Sequence, residues 1–168
     1  MAQSYKGKFI PKNQDKYIGD PSNIVWRSTW ERSCFRWCDS NPDVVKWSSE
    51  ETVIPYISPV DGKRHRYFID LKIEFKGGKV LLIEIKPKYQ TVAPNPEKFK
   101  KHKKAQERLL TEATTWAVND AKWKAAKKYA DNFGYKFCIF TEDTLHDMGI
   151  HINRGTPQHT KTKLKKSQ

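Results

Sequence analysis

The 168-residue chain carries 32 Lys and Arg against 19 Asp and Glu, a net charge of +13, with 37% hydrophobic and 12% aromatic residues. That is one domain of ordinary size with a real core, too apolar to be disordered throughout, and its basic excess calls for a polyanionic partner, nucleic acid ahead of an acidic membrane surface. No stretch nears the roughly 20 apolar residues that span a bilayer, and the polar opening Met1-Ala2-Gln3-Ser4-Tyr5-Lys6 lacks a signal-peptide apolar region, so the chain reads as cytoplasmic.

Residues 1–22 are basic and contain Pro11, Gly19 and Pro21, which predicts an extended arm. A helix follows over about 24–39, with Trp26, Trp30, Cys34, Trp37 and Cys38 as its buried stripe and Glu31 at the stripe's edge; Asn41-Pro42 ends it. Strands over 44–47, 52–57, 64–75 and 80–86, with a turn at 58–62, predict a meander of about four. A Pro-containing loop over 88–96 and a lysine-rich run to Lys104 lead into a long helix ending near Asn132. That helix carries Trp116, Trp123, Ala126, Ala130 and Phe133 on one face and is capped by Gly134. The run 136–141 is then a strand parallel to 80–86, reached by a crossover, and a short helix follows at 142–147. The expected organisation is one domain over 23–150 with a disordered basic tail over 151–168. Cys34, Cys38 and Cys138 have neither disulfide nor zinc spacing and are expected to be reduced and packed.

The chemistry concentrates around the Lys76-Gly77-Gly78-Lys79 turn. In the strand before it, Ile69, Leu71, Ile73 and Phe75 alternate with Phe68, Asp70, Lys72 and Glu74; after it, Leu81, Ile83 and Ile85 alternate with Val80, Leu82, Glu84 and Lys86. Sharing the apolar faces puts Asp70 on the face of Glu84, which a two-residue loop forbids and a three-residue loop over 76–78 with a left-handed Gly, or a bulge with the same effect, provides. Leu82 and Val80 share a face with Glu84, so this second face is also covered, and a buried carboxylate pair without a cation is costly.

Phosphodiester hydrolysis needs an activated water, neutralisation of phosphorane-like charge and help for the leaving oxygen, all of which Mg²⁺ can give. Asp70 and Glu84 are hard ligands of the right number, the carbonyl of Ile85 can add another, and Mn²⁺ is expected to substitute. Lys86, two residues past Glu84, either works on the attacking water or holds the developing charge; its sequence context leaves both roles open.

The order helix-Glu, strand-Asp, hairpin, Glu-x-Lys, helix resembles the PD-(D/E)XK nuclease superfamily. Arg27-Ser28-Thr29-Trp30-Glu31-Arg32, Trp47-Ser48-Ser49-Glu50, Ile54-Pro55-Tyr56, Arg66-Tyr67-Phe68-Ile69-Asp70 and Ile83-Glu84-Ile85-Lys86-Pro87 are similar to TnsA-type transposition endonucleases. The opening Ser4-Tyr5-Lys6-Gly7-Lys8-Phe9 and the later Asn119-Asp120-Ala121-Lys122-Trp123-Lys124-Ala125-Ala126 resemble the head completion nucleases of T-even-like tailed phages, a likeness covering roughly residues 4–145. Ile69 stands where the superfamily's name-giving proline would be.

The resemblance implies an α/β, restriction-endonuclease-like core with a mixed central β-sheet flanked by helices. It also implies a Mg²⁺-dependent DNA endonuclease with catalytic residues Glu31, Asp70, Glu84 and Lys86, and metal held by Glu31, Asp70, Glu84 and Ile85. Arg27, Arg64, Arg66, Lys88 and Lys122 are the candidate DNA contacts. The implied setting is DNA-end processing in the host cytoplasm during virion assembly, with phage head or portal proteins as partners. Two competing readings are a head protein that keeps the nuclease fold and plugs DNA without turnover, and a non-enzymatic basic RNA binder, which leaves the aligned carboxylates unexplained.

Overall fold

The computed structural model describes residues 6–99 and 102–152. Strand β1 (Gly7–Phe9) pairs antiparallel with β2 (Ile24–Trp26), and helix α1 (Thr29–Ser40) follows. Ser28 starts α1 by accepting the Glu31 N–H at 3.1 Å, an N-cap that the helix propensities of its neighbours would not supply. The helix ends at Asn41, where Pro42 lacks the amide to continue it.

Beyond α1 the chain forms β3 (Val44–Ser48), β4 (Val53–Ile57), β5 (Arg64–Phe68), β6 (Leu71–Phe75) and β7 (Val80–Ile85). It then makes the long α2 (Lys103–Phe133), β8 (Lys136–Phe140) and α3 (Glu142–Asp147). The main sheet has the order β3-β6-β7-β8, antiparallel except for the parallel β7–β8 pair that α2 connects, so it is a mixed sheet in an α/β fold.

Alternation along β7 explains the layers. Leu81, Ile83 and Ile85 face Leu71, Ile73 and Trp47 in a core closed by Trp30, Cys34, Phe35 and Cys38 of α1. Leu82 faces the other way, beneath Trp123, Ala126 and Ala130 of α2. Both faces of the strand are therefore covered, as its apolar content predicts. The small Ala126 and Ala130 let α2 lie close on the sheet, and Gly134, at φ 69°, takes the left-handed cap that ends it.

Three expectations change. The basic segment read as an extended arm is folded over residues 6–22: Asp39 accepts the Lys12 and Asn13 amides at 2.8 and 3.0 Å, and Tyr17 is buried edge-on against Trp47. Residues 24–26 are a strand because β1 offers them a partner, and Trp26 leaves the helical stripe. The expected four-strand meander is broken, since β4 and β5 form a separate ribbon and 64–75 is two strands, not one. The break falls at Ile69, whose N–H bonds Thr52 O and whose carbonyl accepts from Glu50 N, both at 3.0 Å, so these groups are withdrawn from the main sheet. Ile69 consequently packs in the second core with Leu82, not beside Leu71. Residues 100 and 101 of the lysine-rich run and 153–168 of the tail lie outside the described residues. No described helix is long and apolar enough to cross a membrane.

Candidate active site

The hairpin register pairs Leu71 with Ile83 and Glu74 with Val80, and Phe75 N–H bonds Lys79 O across a three-residue loop over 76–78. Gly77 and Gly78 adopt φ of 87° and 90°, a region closed to most side chains. Continued one step past β6, this register sets Asp70 across from Glu84, the arrangement that the alternating faces require. At that step the chain is already turning away toward β5, and the ladder would leave the Ile85 amide without a carbonyl. Asp70 Oδ2 takes its place, accepting the Ile85 N–H at 2.8 Å. The site thus uses the Ile85 amide to orient a carboxylate.

Glu84 is buried, and its two oxygens have different partners. Tyr67 O–H donates to Oε2 at 2.5 Å, while Lys86 Nζ lies 3.2 Å from Oε1. Lys86 is reached by solvent on part of its length, its side chain 22% exposed against 6% for Glu84, as expected for an ammonium at the mouth of a site. Lys122, projecting from α2, places its ammonium over the rings of Tyr67 and Tyr56 at 5.5 and 5.7 Å. It therefore stands one ring away from the Glu84 carboxylate.

Glu31 is the third residue of α1. One oxygen accepts the Arg27 amide at 2.7 Å and the other the Ser28 hydroxyl at 3.3 Å, while Ser28 Oγ accepts the Glu31 N–H, so the carboxylate is turned onto its own helix terminus. The Arg27 guanidinium instead grips Glu50 through two bonds of 2.8 and 3.1 Å, and this pairing keeps the Arg27 charge firmly in place, its pKa raised. Glu50 is the sole described non-glycine residue with positive φ, at 56°. Such strain persists where surrounding bonds over-determine it, and here the Arg27 clamp and the amide bond to Ile69 do so.

These groups feel one another. Asp70 is pushed well above the usual carboxylate range, first by burial, then by the charges of Glu84 and Glu31, against which the Ile85 amide and Lys86 act. Glu31 is also raised, by burial and then by Glu50's charge, with the Arg27 amide opposing. Tyr67 is raised by burial and by Glu84, so its hydroxyl keeps its proton and donates. Four acids, Asp70, Glu84, Glu31 and Glu50, thus share two cations, Lys86 and Arg27, an excess of acidic charge that a hard divalent ion relieves. Among the described residues no three His, Cys, Asp or Glu side chains are grouped to hold a metal ion. The bonds from Arg27 and Ser28 turn Glu31 toward its own helix terminus, and the Ile85 N–H is taken by Asp70.

The other candidates divide. Arg64 and Arg66 lie exposed on β5, Arg66 over the Phe68 ring at 5.5 Å. Lys88 is engaged with α3, its amide bonding Glu142 and its ammonium Asp143, both at 2.8 Å, and Arg27 is engaged with Glu50. Tyr67 was not among the candidates, because an unbroken strand over 64–75 would put it on the face opposite Asp70. Glu50 stood within a quoted motif, but nothing in its neighbours signals a left-handed backbone.

A sheet with Asp and Glu-x-Lys at the end of a covered hairpin and a glutamate on the flanking helix is the architecture of a restriction-endonuclease-like nuclease. Residues 41–142 match the family described as TnsA-like endonuclease N terminal, and the chain belongs to that family. The match includes Asp70, Glu84 and Lys86; Glu31 lies before it. The chain is also 45% identical over 148 residues to the head completion nuclease of Enterobacteria phage T4, an alignment covering 88% of this chain and 97% of that protein. No solved structure matches.

Proposed function

We propose that the protein is a divalent-metal-dependent DNA endonuclease acting in phage head completion, where it processes DNA ends in the infected host alongside head or portal proteins. The observation that carries the reading is the convergence on one spot of a part-buried Asp70, a buried Glu84 and the ammonium of Lys86, within the segment that matches the endonuclease family. Asp70 and Glu84 would hold the ion, Mg²⁺ with Mn²⁺ as its substitute, and Glu31 would join them after releasing its capping bonds. The ion, when bound, supplies charge neutralisation at the scissile phosphate.

The chain's own groups do the rest. Tyr67 and the Ile85 amide fix the two carboxylates, so little reorganisation is required at the moment of reaction. Lys86, beside Glu84 and open to solvent, orients the attacking water or meets charge on the phosphate. Lys122, Arg64 and Arg66 would line the approach of the backbone. The test is incubation with supercoiled and branched DNA and Mg²⁺ or Mn²⁺, with Asp70→Asn and Lys86→Ala alongside. Cleavage by the unaltered protein alone supports the reading; equal background in all three would leave a DNA-binding head protein without turnover.

A further inference from the structure

A second basic feature lies on the far flank of α1. Lys8, Lys12 and Ile10 of the N-terminal segment face Trp26, Arg32 and Arg36 across a cleft of about 610 Å³. Arg32, Arg36 and Ser40 recur every fourth residue and so form one stripe along the helix. Arg32 lies over the Trp26 ring at 5.1 Å, and its Nε is buried with no hydrogen-bond partner, a donor held in place but unused. Trp26 is set by Gly7, where a Cβ would come within 2.7 Å of the indole. The acid lining the cleft, Asp39, is already occupied by the Lys12 and Asn13 amides. Four cations and one carboxylate therefore line the opening, an excess of positive charge.

Arg32 follows Glu31 on α1 but points about 100° away from it, so the cleft lies on a different flank of the helix from the one that carries Glu31. From Arg32 to Ser40 the helix advances about 12 Å at 1.5 Å per residue, room for about two phosphates of one strand. The geometry points to this cleft as a phosphate-backbone track for bound DNA, with Lys12 and Arg36 on successive phosphates and the Arg32 guanidinium beside them. Exposed Ile10 (79%) and the edge of Trp26 offer apolar contact to sugars or an unpaired base. This rests on the proposed DNA substrate, though not on turnover.

The test is DNA binding by the full chain in EDTA, measured with labelled blunt and overhanging duplexes between 50 and 200 mM salt, for the unaltered protein and for Lys12→Ala with Arg36→Ala. Both side chains are exposed, and equal thermal midpoints check that the fold is kept. Losing two phosphate contacts lowers the slope of log K against log salt by about 1.8, so over that salt range the unaltered protein should lose roughly tenfold more affinity than the variant. Lys127→Ala with Lys128→Ala, removing equal charge from exposed positions of α2, should leave the slope unchanged. A slope equal in all three, or lowered equally by both pairs, overturns the track, the first result leaving the cleft to an acidic protein partner. Cleavage by the same preparations in Mg²⁺ decides the nuclease reading separately. A greater loss on overhanging than on blunt DNA supports a single strand in the cleft, and an equal loss supports the duplex backbone.

Discussion

Replacing Tyr67 with Phe removes one hydroxyl and almost nothing else, because the ring stays in the second core and beneath Lys122. What is lost is the 2.5 Å bond to Glu84 Oε2, between two buried residues. Hydrogen bonds to charged groups contribute about 1.5–3 kcal/mol, and no cavity is added, so a loss of about 2 kcal/mol is expected. For a chain of this size that is a fall of roughly 4–8 °C in thermal midpoint. Glu84 then turns toward Lys86, its remaining partner, and kcat for DNA cleavage should fall while KM changes little, because the substrate-facing cations are untouched. Circular dichroism melts and single-turnover cleavage read the two effects. A double-mutant cycle with Glu84→Gln isolates the pair, with a coupling energy of about 1.5–2 kcal/mol expected. A Tyr67→Phe protein with an unchanged midpoint and unchanged cleavage would refute the claim that this hydroxyl positions the carboxylate.

Asp70→Asn should abolish cleavage yet stabilise the protein in EDTA. The native Asp70 carboxyl holds its proton above the ordinary range while the unfolded chain releases it there, so native stability falls as pH rises from that range through the raised pKa, and the Asn variant lacks this decline. Its advantage should therefore be larger at pH 8 than at pH 4, and chemical denaturation at both values checks the sign. Adding Mg²⁺ or Mn²⁺ at a hundredfold excess over its dissociation constant should stabilise the unaltered protein by about 2.7 kcal/mol, an effect that Asp70→Asn and Glu84→Gln largely lose in thermal melts. Ser28→Ala removes the cap of α1 and one of Glu31's restraints, with an expected loss of about 1 kcal/mol by urea denaturation and lower cleavage if Glu31's placement matters.

Strict alternation about Gly77-Gly78 made much of the site legible, since one register satisfies two apolar faces and the loop length follows from it. The parallel return of β8 and the Gly134 cap were legible for the same reason: each is a local constraint written in a few adjacent residues. The failures are all long-range. Ile24–Trp26 has helical spacing to Trp30, yet pairing with Gly7–Phe9 outcompetes it. Asp39 and Tyr17 draw in a proline-containing segment whose own composition carries no such instruction. The sharpest case is Ile69. Its backbone bonds to Glu50 and Thr52 reverse the facing of everything before it, so Tyr67 joins Leu82 and reaches Glu84.

That same bend explains why an aspartate at position 70 can serve the site at all. In an unbroken ladder the Ile85 amide would bond the Ile69 carbonyl, and the Asp70 side chain would stand off the sheet without an anchor. Because Ile69 has turned its carbonyl to Glu50, the orphaned amide fixes the carboxylate instead, at a cost in burial and charge repulsion that raises its pKa. Glu50's left-handed backbone is the hinge of this exchange, and Arg27 holds its side chain there. Arg27 also donates its amide to Glu31, so one residue ties the strained turn to the helix-borne acid. Asp70 and Glu84 are thus fixed by bonds that need no metal, and the repulsion between them is what a divalent ion would offset.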